Sequence, residues 1–152
     1  MSAMNPRIDF NKKYRQALAG LFELERFVEA AGIDKSLLEL VKLRASQING
    51  CAFCIDMHTK NARKAGESEQ RLYALSAWHE TPFYTDRERI ALQWTEALTL
   101  IAQTEISDGL YSAAKEQFGE DGLVVLTMAI VSINGWNRLA ISFRTVPGSY
   151  NV

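Results

Sequence analysis

Residues 40–66 read LVKLRASQINGCAFCIDMHTKNARKAG, and their apolar positions recur at helical rather than alternating spacing. A helix opens at Asp34, a good N-cap, and carries Leu37, Leu38, Val41, Ala45 and Ile48 to a break at Asn49-Gly50. A second starts at about Cys51 and ends at RKAG, with basic residues in its last turn and Gly66 beyond them. The stretch therefore reads as a helical hairpin with a Cys-x-x-Cys pair at its turn.

Outward from this hairpin the chain continues helix after helix. Towards the N-terminus, Lys12 to Ala31 places Tyr14, Leu18, Leu21, Phe22 and Val28 at helical spacing. Towards the C-terminus, Ser68 caps a short helix bearing Leu72, Leu75 and Trp78. The segment HETPFY is a loop, and Thr85 with Glu88 forms a capping box opening a helix through Ile90, Trp94, Leu98 and Ile101. Another helix follows Ser107 and stops at Gly119; the last runs from about Asp121 to Arg144 and is apolar on most sides. No period-two alternation is convincing. The expectation is an all-α, single-domain bundle of about seven helices over 1–152, with the final helix at its centre.

Composition narrows the function. A formal net charge of −1 over 152 residues gives no electrostatic case for nucleic acid or acidic lipid. The longest apolar run, Leu123 to Trp136, is interrupted by Thr127, Ser132 and Asn134, and falls short of the roughly 20 apolar residues a bilayer span needs. The opening MSAMNPRIDFNKKY lacks the apolar core of a signal peptide, so the cytoplasm is the default compartment. In that compartment two cysteines separated by two residues suit chemistry or metal better than a structural disulfide.

Helical spacing brings Cys51, Cys54 and His58 onto one face, while Asp56, Lys60, Arg63 and Lys64 lie opposite. A cysteine at a helix start meets unpaired backbone N–H groups, which favour thiolate. His58, four residues beyond Cys54, is placed to take that thiol's proton. The pair is spaced to close a reversible disulfide. Two plainer readings stand beside this one. The cysteines and His58 are three of the ligands a zinc site needs, with His79 or Glu39 as a fourth, although no second C-x-x-C or H-x-x-x-H pair completes the set. Two small thiols also suit simple core packing.

Glu39, eleven residues, Cys51-x-x-Cys54, three residues and His58 together resemble the E-x11-C-x-x-C-x3-H signature of the alkyl hydroperoxidase D-like branch of the carboxymuconolactone decarboxylase superfamily. The surrounding LVKLRASQINGCAFCIDMHTKNARKAG and the later INGWNRLAISFR extend the likeness over about residues 35–145. The resemblance implies an all-helical fold, a trimer or hexamer of identical chains, and thiol-dependent reduction of peroxides by a dithiol or protein reductant. By position it makes Glu39 and His58 a proton relay, Cys54 the sulfur nearest the base and Cys51 its disulfide partner, more open to the reductant. On this reading neither a metal nor an organic cofactor is needed. The alternative is a non-catalytic oligomeric module whose cysteines bind zinc or sense oxidants.

Some residues depart from that pattern or add to it. Well-known peroxidase members carry a histidine immediately before the second cysteine, whereas this chain has Phe53, which pairs with Met57 as an apolar patch. The cysteine pair argues against lactone decarboxylation, which does not rely on it. Read from its own helix alone, Glu39 lies off the main apolar face and pairs with Lys42 in solvent. Asn134 to Arg138 places polar groups in an apolar helix, where they must bridge helices or subunits. His79 reads as a surface residue, and Trp78, Trp94 and Trp136 as core.

Overall fold

A computed structural model describes residues 4–152; Met1 to Ala3, the start of the expected single domain, lie outside it. The described residues are helical and contain no strand. They form α1 (Phe10–Lys13), α2 (Ala19–Ala30), α3 (Lys35–Asn49), α4 (Ala52–Lys64), α5 (Glu69–Ala74), α6 (Asp86–Thr99) and α7 (Asp108–Phe143), with 3-10 turns at Arg15–Leu18 and Leu75–Glu80. Helix α3 is packed by α4, α6 and α7, and α2 lies along α7.

The expected helix 12–31 is interrupted. Tyr14 leaves helical geometry (φ −128°, ψ 30°), so α1 and a 3-10 turn precede α2. The physical reason lies in Phe10, which is buried against Phe143 (ring centroids 5.5 Å), while the Arg7 N–H donates to the Phe143 carbonyl (2.9 Å). This anchor draws the N-terminal segment across the end of α7 and leaves Tyr14 and Phe22, expected on an apolar stripe, exposed. Ile101 is likewise exposed, because α6 ends at Thr99.

Capping explains most other boundaries. Asp34, Ser68, Thr85 and Ser107 each accept a backbone N–H from the first turn that follows, and Thr85 with Glu88 completes the capping box. Gly119 breaks α7 with φ 69° and ψ 177°, where two helices were expected to meet. Beyond it the helix carries Leu126, Ala129, Ile130 and Ile133, all buried. By length and hydropathy α7 is apolar enough to cross a membrane, and 44% of its most apolar window is buried against the other helices.

The α3–α4 turn sets the geometry that follows. Gly50 adopts a left-handed conformation (φ 69°, ψ 32°); its N–H donates to Gln47 and the Cys51 N–H to Ser46 (3.0 Å), closing the carbonyl end of α3. The chain thereby reverses in one residue and delivers Cys51 as the N-cap of α4.

Candidate active site

Both thiols are free, and both are buried to 1% exposure among Ala45, Ile133 and Ala140. Cys51 caps α4 with its sulfur, which accepts the Cys54 N–H at 3.4 Å. The Cys54 thiol is the strongest influence on Cys51. Together with the backbone N–H groups of Phe53 and Cys54 and the Asn137 amide it outweighs burial, and the Cys51 thiol falls from its ordinary 9.0 to about 7. Cys54 moves the other way: its hydrogen bond to the Cys51 sulfur, burial and the neighbouring negative charge all favour the protonated thiol. The two sulfurs thus share one proton, held on Cys54, and titrate as a pair.

His58 and Glu39 face each other across α3 and α4 at 2.8 Å, both more than nine-tenths buried. An ionised carboxylate only accepts, so Nδ1 carries the proton and donates it to Glu39 Oε2; among the described residues no hydrogen bond joins the ring to either sulfur, and the imidazole meets Cys54 only as a fellow lining residue of one cavity. The Glu39–His58 bond corrects the solvated Glu39–Lys42 pair. Lys42 is itself buried and donates from Nζ to Glu25 Oε2 on α2 at 2.5 Å, while Ser132 Oγ donates to Glu25 Oε1 at 2.5 Å. Two acid–base pairs therefore start from α3 residues three apart and reach different helices, α4 and α2.

A cavity of about 330 Å³ joins these groups. Cys54, His58, Glu39, Lys42 and Glu25 line it, and Phe22, Phe53 and Trp136 form much of its apolar wall. Phe22 and Trp136 meet at 5.1 Å between ring centroids. Cys51 does not line this cavity, which corrects the expectation that it is the more open sulfur. Trp136, expected in the core, is only half-buried because it lines this cavity, while Trp78 and Trp94 are core as expected.

The zinc reading requires three or four converging donors. Among the described residues no group of three His, Cys, Asp or Glu side chains is arranged to hold a metal ion. Glu39 is engaged by His58, and the exposed His79 faces Glu96 at 3.2 Å. The polar segment of α7 bridges helices as expected: Asn49 Nδ2 donates to Asn134 Oδ1 (3.0 Å) and Asn137 Oδ1 (2.9 Å), and Asn137 Nδ2 donates to Ser46 Oγ (3.0 Å). Arg138 is the exception, exposed and bonded within its own helix to Asn134.

Sequence reasoning missed three parts of this site. Spacing puts Lys42 in solvent with Glu39 and does not single out Glu25, does not connect Asn137 to Cys51, and does not place the N-terminal Phe10 and Phe22 beside the thiols. For the last two the link is tertiary and leaves no local signal. For Lys42 a signal exists, since it and Glu39 are the two polar residues of the run from Leu37 to Leu43, which is buried throughout.

Comparison with known proteins gives a consistent picture. The carboxymuconolactone decarboxylase family profile matches residues 12–97. The uncharacterised protein YdfG of Bacillus subtilis is 41% identical over 139 residues, which are 91% of this chain and 95% of that protein. A crystal structure from Agrobacterium tumefaciens, described as a protein of unknown function and candidate antioxidant defence protein AhpD, superposes with a TM-score of 0.91. Its identity is 40%, over 96% of this chain and all of the other. The alkyl hydroperoxide reductase AhpD of Coxiella burnetii is 49% identical over 41 residues, 27% of this chain; the match spans about a quarter (23%) of that enzyme.

Proposed function

This chain belongs to the carboxymuconolactone decarboxylase family, in its AhpD-like branch, and from that premise we propose that it is a thiol-dependent peroxidase acting on organic hydroperoxides. The observation that carries the reading is the shared cavity: a thiol, a carboxylate-oriented imidazole and an apolar wall meet in one place.

A hydroperoxide entering the cavity meets the Cys54 sulfur. As the Cys54 sulfur attacks the terminal peroxide oxygen its proton passes across the cavity to His58 Nε2, so that two adjacent thiolates never coexist, and Glu39 stabilises the imidazolium that forms. An S–O bond forms and O–O breaks; sulfur is oxidised to sulfenic acid, and the alkoxide leaves as alcohol with one further proton, the equivalent of the one Cys51 lost on ionising. Cys51, ionised near neutral pH, then attacks the Cys54 sulfur. The S–S bond forms, hydroxide leaves, and the proton on His58 completes water. An external dithiol restores both thiols by two exchanges. The sum is hydroperoxide plus dithiol giving alcohol, water and disulfide. Phe53, in the place of the family's histidine, supplies apolar wall rather than a second proton path.

The cycle assigns the two sulfurs by access. Cys54 reacts with peroxide because it borders the cavity, and Cys51 resolves because its thiolate is already formed behind it. Val124 and Val131, one heptad apart and half-exposed on α7, supply an apolar face for a homo-oligomer. The test is hydroperoxide consumption with a dithiol reductant. Wild type turns over, Cys54→Ser does not, and Cys51→Ser halts after one equivalent; equal rates for wild type and Cys54→Ser would remove the assignment.

A further inference from the structure

The two oxygens released in this cycle need two proton donors, and the relay at His58 holds one proton. The cavity wall carries a second charged pair besides Glu39 and His58. Lys42 and Glu25 are an ion pair of a buried ammonium and a half-buried carboxylate, and buried pairs are commonly replaceable by well-packed apolar residues without loss of stability. Burial alone would raise the Glu25 carboxyl, but the Lys42 ammonium, its hydrogen bond and the Ser132 hydroxyl together hold it below the usual range. Glu25 is thus fixed as a carboxylate between two donors and holds the ammonium at the cavity wall, where Cys54 also lies. An ammonium has three N–H donors, and among the described residues its one side-chain acceptor is Glu25.

We propose that Lys42 is a catalytic residue that donates a hydrogen bond and then a proton from Nζ to the alkoxide oxygen leaving the peroxide, with Glu25 and Ser132 as its positioning residues. The inference rests on the peroxidase reading. As the Cys54 sulfur bonds to the terminal oxygen and the O–O bond breaks, the electron pair goes to the alkoxide oxygen, which takes the Lys42 proton and leaves as alcohol. The proton that Cys51 gave up on ionising returns through solvent to the Lys42 amine. His58 keeps the proton it took from Cys54 for the hydroxide of the second step. Helix α3 then places a base pole at Glu39–His58 and an acid pole at Lys42, one turn apart on one wall.

A general acid matters in proportion to how poor the leaving group is, and that is the test. Pre-reduced protein is mixed with excess tert-butyl hydroperoxide, which expels an alkoxide, or with peracetic acid, which expels acetate, and thiol loss is followed in a single turnover. The double variant Lys42→Met/Glu25→Gln removes the pair without stranding a charge. It is expected to lose roughly 100-fold with the alkyl hydroperoxide and no more than about threefold with the peracid. Lys42→Arg keeps the ion pair and the fold but offers a far weaker acid, so a selective loss of about tenfold with the alkyl hydroperoxide is expected even should the double variant fail to fold. Equal losses with both oxidants, in either variant, would overturn the role of Lys42 while leaving the peroxidase reading intact. Wild-type protein inert to both oxidants would overturn the two together.

Discussion

The sharpest consequence of the thiol geometry is that Cys51, not the cavity-lining Cys54, ionises first. With its pKa at about 7, Cys51 is about half thiolate at pH 7, against roughly 1% for a thiol at the ordinary 9.0, an enrichment of about 50-fold. Ultraviolet thiolate absorbance of the reduced protein, titrated against pH, reads this directly. Cys54→Ser keeps a hydroxyl that donates to the Cys51 sulfur, so a depressed midpoint persists, somewhat raised. Asn137→Ala removes a weaker donor and raises the midpoint less. Cys51→Ser leaves only Cys54, buried and without its ionised neighbour, and no thiolate then forms below the ordinary range. The same shifts fix the sign of the stability profile. Between about 7 and 9.0 the folded Cys51 has lost its proton while the unfolded thiol retains one, so stability of the reduced form rises with pH, by at most about 3 kcal/mol. Above 9.0 Cys54 acts oppositely: the unfolded thiol ionises, the folded one holds its proton, and stability falls. Chemical denaturation across pH should therefore show a maximum near 9.0 that the disulfide form lacks. A low titration midpoint that survives in Cys51→Ser would refute the assignment of the early thiolate and, with it, the division of labour between the sulfurs.

Two further substitutions probe neighbouring links. Glu39→Gln retains an acceptor for the His58 Nδ1–H but no charge to stabilise imidazolium; single-turnover oxidation by tert-butyl hydroperoxide is expected to slow at least about tenfold, with the Cys51 titration midpoint unmoved. Gly50→Ala forces a side chain into left-handed geometry (φ 69°) at the turn that presents Cys51, and should cost about 1 kcal/mol in denaturant unfolding while slowing disulfide formation.

The fold was legible because its signals are local. Asp34, Ser68, the Thr85–Glu88 box, Ser107 and Gly119 each mark a boundary through hydrogen bonds or backbone freedom within a few residues, and the structure uses them all. The N-terminal helix was misjudged because its break depends on Phe10 reaching Phe143, more than a hundred positions away. The thiol–imidazole face was legible for the same local reason, since i,i+3 and i,i+4 spacing fixes it within α4.

Glu39 shows where a local reading fails and what replaces it. An i,i+3 Glu–Lys pair on an isolated helix belongs in water, and the spacing of Glu39 and Lys42 invites that reading. Yet Leu37, Leu38, Leu40, Val41 and Leu43 distribute themselves around the helix so that no broad face is left for solvent, and α4, α6 and α7 pack around it. A polar residue lodged between such neighbours has to be buried, and a buried charge has to find a partner on another element. Glu39 finds His58 on α4 and Lys42 finds Glu25 on α2, at 2.8 and 2.5 Å. Neither partner is predictable from spacing. The obligation to have one is predictable from crowding alone, and it sends the two residues of the apparent pair to partners on different helices at the wall of one cavity.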